Sequence, residues 1–291
     1  MPPEATETLI VGGGQAGLAL SAHLSRRGRP HLILERARVA ERWRSERWDS
    51  LVANGPAWHD RFPDMAFEGL DPDAFAPRDA LVRYFEAFAD CIRAPIRTGT
   101  PVTRATRTPR GFRVETPSGA IEARALVAAT GPFQRPLRPA MVPEAAVPFQ
   151  IHSAHYRNPA QLPPGAVLVV GAGSSGAQIA EELAQAGRRV HLAVGPHDRP
   201  PRRYRGRDFV WWLGALGKWD ATTRGPGTEH VTIAVSGAQG GHTVDFRRLA
   251  ASLGITLHGR ATGWDGRSVR FAPDLAANLA RGDADHLSLL D

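Results

Sequence analysis

Cysteine is nearly missing from the chain. Cys91 is the single one in 291 residues, so an internal disulfide and a cysteine-based metal cluster are excluded. Lysine is as scarce: of 36 basic residues only Lys218 is lysine, and the arginines are spread along the whole chain in the manner of a coding bias. The net charge of +7 favours phosphate-bearing ligands. No basic stripe alternates with aromatics as in a nucleic-acid module, so a nucleic-acid partner is not expected. No apolar run approaches the ~18 residues that span a bilayer. Met1-Pro2-Pro3-Glu4 does not open a basic stretch followed by an apolar core. The expectation is a cytoplasmic protein without a membrane partner. Hydrophobic residues at 42% and charged ones at 22% are a globular composition, and the length fits two domains of roughly 150 residues.

What is there begins at Thr8. Thr8 to Val11 is short, apolar and β-branched, the pattern of a buried parallel strand. Gly12-Gly13-Gly14-Gln15-Ala16-Gly17 follows as G-x-G-x-x-G, then an apolar-periodic helix over Leu18 to Arg27 that Gly28 ends. His31 to Leu34 is a second strand, closed by Glu35. Gly12 permits the tight turn, Gly14 lets the backbone approach a pyrophosphate, and Gly17 lets helix and strand pack closely. The helix N-terminus offers N–H groups and a positive dipole end. Glu35 stands 18 residues after Gly17, where a carboxylate accepts from ribose hydroxyls.

The pattern repeats. Ala166 to Val170 predicts a strand, Gly171-Ala172-Gly173-Ser174-Ser175-Gly176 is a second G-x-G-x-x-G, Ala177 to Ala186 predicts a helix, and Val190 to Val194 the next strand. The motifs begin 159 residues apart, too far for one mononucleotide unit, so the chain is read as two dinucleotide-binding units. Ser174 and Ser175 are expected to donate to phosphate oxygens. No acid ends the second unit's last strand; Gly195-Pro196-His197 stands there, and Arg202 and Arg203 are among the arginines that follow. Arginine holds a ribose 2′-phosphate that an acid would repel, which leans the second site to NADPH, with Arg202 and Arg203 as candidate contacts. Phe209 and Trp211-Trp212 are read as core. His152 and His155 have no further ligand nearby, and no metal site is expected.

Further residues carry a resemblance. Leu126-Val127-Ala128-Ala129-Thr130-Gly131 is an apolar strand ending in Ala-Thr-Gly. Gln150-Ile151-His152-Ser153-Ala154-His155-Tyr156 has a His-x-x-x-Tyr end, although Ala146 and Pro148 replace the phenylalanine and glycine of the fingerprint upstream. Together with Trp43-Arg44 and Trp48-Asp49-Ser50-Leu51, these segments resemble the flavin-containing (class B) flavoprotein monooxygenases, in particular the bacterial CzcO-like group and its YUCCA-type cousins. The resemblance implies an α/β fold of two Rossmann-type domains, one for FAD and one for NADPH. It implies that Gly12, Gly14, Gln15, Gly17 and Glu35 hold the ADP half of FAD and that Val102 contacts adenine through its backbone. It places Trp43 near the flavin, makes Thr130 and Gly131 the exit from the FAD domain, and assigns Gly171, Gly173, Ser174, Ser175 and Gly176 to NADPH. Asn54 falls where the family has an asparagine beside flavin C4a, whose neutral amide donates to a peroxide oxygen; the Asn54-Gly55 pair also reads as a turn. The implied reaction is reduction of FAD by NADPH, formation of a C4a-hydroperoxide with O₂, and oxygen transfer to nitrogen, sulfur or a ketone of a small substrate. A disulfide reductase would need a Cys pair, and a homo-oligomer is left open.

The expected domains are 1–160 for FAD, 161–272 for NAD(P)H, and 273–291 as the start of a return to the FAD domain. Leu275 to Leu290 predicts a last helix with Leu275, Leu279, Leu287, Leu289 and Leu290 apolar, interrupted at Gly282-Asp283. No second Ala-Thr-Gly strand follows, so the FAD domain is expected to be without its closing segment. Such a chain would oxidise NADPH with release of hydrogen peroxide, or would be a truncated, non-catalytic nucleotide-binding protein.

Overall fold

The computed structural model describes residues 4–222 and 233–288; Leu289 and Leu290 lie outside them. The chain divides into two compact units. One comprises the residues up to Arg47 with Asp60–Pro72 and Ala76–Pro136; the other comprises Trp48–His59, Asp73–Phe75 and the residues from Leu137 on. Residues 48–59, 73–75 and 137–160, assigned by sequence to an FAD domain, thus belong to the second unit's compact body.

The first unit is built on a six-stranded sheet. Its elements are β1 (Glu4–Val11), α1 (Gln15–Arg26), β2 (His31–Leu34), α2 (Glu41–Ser45), α3 (Arg78–Cys91), β3 (Ile96–Arg97), β4 (Arg104–Thr108), β5 (Gly111–Thr116) and β6 (Gly119–Ala128). The strand order is β3-β2-β1-β6-β5-β4. β3, β2, β1 and β6 run parallel, with Val11 beside Leu34 on one side and Ala128 on the other. β4 and β5 extend the sheet antiparallel. Leu9, Ile10, Leu18, Ile33 and Leu34 are fully buried, as expected of central parallel strands and the crossover helix on them. A second cluster packs Phe62, Phe67, Tyr84, Phe85 and Phe88 ring on ring, and the Tyr84 hydroxyl accepts from Phe62 N–H at 2.6 Å.

The second unit contains β7 (Val167–Val170), α4 (Ser174–Gln185), β8 (Val190–Ala193), β9 (Arg203–Tyr204), β10 (Arg207–Asp208), α5 (Phe209–Ala215), β11 (Val235–Ser236), β12 (His242–Thr243), α6 (Phe246–Leu253), β13 (Thr256–His258), β14 (Ala261–Trp264), β15 (Val269–Phe271) and α7 (Leu275–Ser288). Its parallel sheet has the order β13-β8-β7, and the other strands form three antiparallel hairpins. β7-α4-β8 is the same succession of strand, glycine loop, helix and parallel strand as β1-α1-β2. In both, the last glycine of the loop is required by close approach: a Cβ on Gly17 would enter the Gly12 carbonyl oxygen, and one on Gly176 the Gly171 carbonyl oxygen.

α7 corrects an expectation. It runs unbroken through Gly282-Asp283. Gly282 is there for packing, since a Cβ would stand 2.7 Å from Nε2 of the buried His197 ring. Asp283 faces Arg199 (2.8 Å) and Arg247 (2.9 Å). No helix among the described residues is long and apolar enough to cross a membrane.

Candidate functional site

The first glycine loop leaves β1 and enters α1. Gly12 has φ +112°, and a Cβ there would strike the Ala129 carbonyl, so only glycine passes β6 at this point. Gly14 is the N-cap of α1 in extended conformation, and no side chain caps the helix. A Cβ built on Gly14 meets nothing within 4 Å: the space before the helix N-terminus is open. Gln15 is exposed as the first helical residue. Glu35, just past β2, accepts Gly13 N–H on Oε2 (2.7 Å) and Ala37 N–H on Oε1 (3.0 Å). Each carboxylate oxygen keeps lone-pair capacity for a further donor. An uncapped helix end, an open cradle and a fixed carboxylate fit the ADP half of FAD.

Other predicted positions surround this frame. Val102 is half-buried on the core cluster of Leu9 and Leu34, between Thr100, whose N–H donates to the Glu35 carbonyl, and Thr103, whose N–H donates to Glu115 O. Thr130 and Gly131 are exposed past the end of β6, and the Gln134 amide donates to both their carbonyls. Trp43 is half-buried on α2, with the Arg47 guanidinium 5.6 Å from its ring centroid.

The second loop has the same backbone plan, with Gly173 as the N-cap of α4. Here two expectations fail. Ser174 is committed internally: its N–H and hydroxyl both donate to Ile233 O (2.9 Å each), and the hydroxyl accepts Val235 N–H (3.2 Å). Ser175 stands exposed and is the serine that a ligand can reach. Arg202 is 2% exposed. Its Nε donates to Asp208 (2.8 Å), its Nη2 pairs with the same carboxylate (2.7 Å), and its Nη1 donates to the Asn54 carbonyl (2.7 Å). The guanidinium also lies over the Phe75 and Phe209 rings. A group so enclosed cannot take a ribose phosphate. Arg203 next to it, the first residue of β9, is exposed.

Asn54 lies within the second unit. Its Oδ1 accepts from Gln178 Nε2 (2.9 Å), the residue itself is exposed, and Gln178 is buried on α4. The Tyr156 hydroxyl of the His-x-x-x-Tyr segment donates to Glu182 Oε2 (2.6 Å), and Ser50 Oγ donates to Glu182 Oε1 (2.7 Å). That motif therefore ties both segments to α4. Burial, with the Glu182 carboxylate beside it, pushes the Tyr156 hydroxyl far above its ordinary range, so it stays a donor. Gln178, Asp208 and Glu182 were not singled out by sequence reasoning, since a polar residue on a helix or in a loop carries no mark of its distant partner. Trp211, expected as core, is 39% exposed and lines an open groove of about 420 Å³ with Trp58, His59, Val210, Gly214, Ala215 and Trp219.

Comparison with known proteins places this geometry. Residues 9–205 match the model of the pyridine nucleotide-disulphide oxidoreductase family. A CzcO-like oxidoreductase of Geobacillus kaustophilus is 38% identical over 72% of this chain and 61% of its own length. The indole-3-pyruvate monooxygenase YUCCA1 of Oryza sativa is 31% identical over 64% of this chain and 47% of its own. The chain spans about 61% of the length of the CzcO-type relatives it matches. The flavin-containing monooxygenase of Stenotrophomonas maltophilia superposes with a TM-score of 0.66 at 22% identity, covering 92% of this chain and 76% of that one. Cys91 is the only cysteine in these 291 residues, so they hold no dithiol for disulfide chemistry. With two G-x-G-x-x-G loops in place and the matched region running through both, the chain belongs to the pyridine nucleotide-disulphide oxidoreductase family, and within it is similar in sequence to the CzcO-like and YUCCA proteins.

Proposed function

We propose that this chain is an FAD-dependent, NADPH-using monooxygenase that places one oxygen atom of O₂ on a nitrogen, sulfur or ketone centre of a small organic substrate. The observation that carries the reading is the first loop: an uncapped α1, open space in front of Gly14, and Glu35 pinned beside it by two backbone N–H groups. The flavin, when bound, supplies the redox and oxygen chemistry. The protein's part is to bind and orient. The N–H groups that open α1 meet the pyrophosphate, and Glu35 accepts from ribose hydroxyls. At the second loop, the N-terminal turn of α4 with Ser175 takes the nicotinamide dinucleotide, and exposed Arg203 is the candidate for the 2′-phosphate. Asn54, whose Oδ1 is occupied by Gln178, offers its Nδ2 hydrogens as a neutral donor that cannot supply a strong acid. The relatives' names, monooxygenases of indole-3-pyruvate among them, agree with this class.

The test is spectroscopic. The purified protein, incubated with FAD and desalted, is expected to be yellow with stoichiometric flavin, and NADPH added without oxygen is expected to bleach it. Gly14→Val puts a branched side chain into the open cradle and is expected to abolish retention of FAD while keeping the far-UV circular dichroism. A Gly14→Val protein that still holds stoichiometric FAD would remove the first-loop assignment.

A further inference from the structure

We infer that Gln178 is a positioning residue that decides which end of the Asn54 amide faces outward; the inference rests on the reading of Asn54 as the catalytic donor. Gln178 is 6% exposed on the second turn of α4. Its Nε2 lies 3.0 Å from the Val235 carbonyl oxygen and 2.9 Å from Asn54 Oδ1. Side-chain amides are nearly symmetric in shape, so the direction of each must follow from its partners. Here one partner leaves no choice. A main-chain carbonyl oxygen only accepts, so the nitrogen of Gln178 must face Val235. Its second N–H then points at Asn54, and Asn54 must answer with its oxygen. The Asn54 nitrogen is thereby turned away from Gln178, to the exposed side.

The backbone of Asn54 is held with equal firmness. Arg202 donates to its carbonyl at 2.7 Å, itself fixed by Asp208 and enclosed by Phe75 and Phe209. Gly237, which follows β11, packs so closely on Ala53 that a Cβ would enter the Ala53 carbonyl oxygen. Asn54 is thus clamped through its main chain by one buried residue and oriented through its side chain by another. Val235, which fixes Gln178, also donates its N–H to Ser174 at the start of α4. One strand segment therefore touches both the second glycine loop and the residue that aims Asn54.

The experiment uses the full chain. Asn54→Ala identifies the Asn54 amide pair in a ¹⁵N spectrum by its loss. Gln178→Met keeps side-chain length and removes both N–H donors; Gln178→Glu is the isosteric alternative should the first variant not fold, and it forces Asn54 to turn its nitrogen inward. In either variant the Asn54 amide signals are expected to shift; unchanged signals overturn the inference whatever the activity. With FAD, NADPH, O₂ and a methyl aryl thioether as probe, kcat is expected to fall about tenfold or more in Gln178→Met, as for loss of an aimed donor, with the KM for NADPH held within about twofold. The double variant with Asn54→Ala is expected to be no slower than Asn54→Ala alone, because Gln178 acts through Asn54. Losses that multiply overturn the positioning role. Full activity in Asn54→Ala overturns the catalytic reading and this inference with it. Loss in Asn54→Ala with full activity in Gln178→Met overturns this inference alone.

Discussion

Arg202 and Arg203 are neighbours in sequence with opposite fates, and the difference is measurable. Arg202 is buried against Asp208 and reaches Asn54. Arg202→Met would leave Asp208 buried without its cation, and breaking a buried pair from one side costs roughly 3–5 kcal/mol. A urea titration is expected to show that loss; a change below about 1 kcal/mol would mean that the pair is not closed in solution. Arg203→Ala, on the exposed side, is expected to leave stability within about 0.5 kcal/mol. It is expected to weaken NADPH about tenfold relative to NADH, as for loss of a charge-assisted contact. Equal weakening of both nucleotides would exclude a 2′-phosphate contact. The glycines and Glu35 were readable from sequence because each acts within a few positions of its own loop or at a set distance from it. Arg202 was misread because its partner Asn54 is 148 positions away, and Gln178 was passed over because Asn54 is 124 positions away. Local pattern ranks an arginine after a strand as a phosphate ligand; only the fold shows that the position points inward.

α7 makes the same point for a helix. Gly282 and Asp283 look like a break because glycine costs a helix interior about 1 kcal/mol relative to alanine. The helix nevertheless continues, and the glycine is where the His197 ring needs room. That ring is fixed on three sides: Nδ1 lies 3.0 Å from Gly195 O, Phe246 packs edge-on at 4.9 Å, and α7 closes over it. Gly282→Ala would gain the helical preference but force a methyl to within 2.7 Å of a ring nitrogen. Overpacking a fixed core side chain costs roughly 1–3 kcal/mol, so the clash outweighs the gain. The urea midpoint of Gly282→Ala is expected to fall, and a rise would show that the ring gives way. The strand–loop–helix–strand units were readable because their apolar runs and glycine loops are long enough to carry a pattern. The hairpins β9–β10 and β11–β12 were not: strands of two residues have no period, and side chains such as Asp208 and His242 settle them.

Four histidines of the second unit, His152, His197, His242 and His258, make a contribution to stability that passes through a maximum on the pH axis. His242 is raised above its ordinary value by the hydrogen bond and charge of Glu181, against burial. The stabilisation it adds is complete below about pH 6.5 and is lost as pH rises through its folded-state value. His197, His258 and His152 are lowered, in each case first by burial. Arg199 adds to this at His197, His191 at His258 and His155 at His152, while Gly195 O, Asp198 and Asp283 act the other way on His197. Their neutral forms suit the fold, so the stabilisation is complete above about pH 6.5 and is lost as pH falls through the lowered values. The two trends meet near neutrality, and the upper limb belongs to His242 alone among these groups. Urea midpoints measured at about pH 6.5 and about pH 8 are therefore expected to differ in the parent protein, with the lower pH the more stable on this limb. His242→Gln keeps a donor for Glu181 and removes the titration, so its two midpoints are expected to converge while the decline towards acid remains. If the parent's difference between the two pH values persists undiminished in His242→Gln, the Glu181–His242 pair is not what links this fold to proton binding.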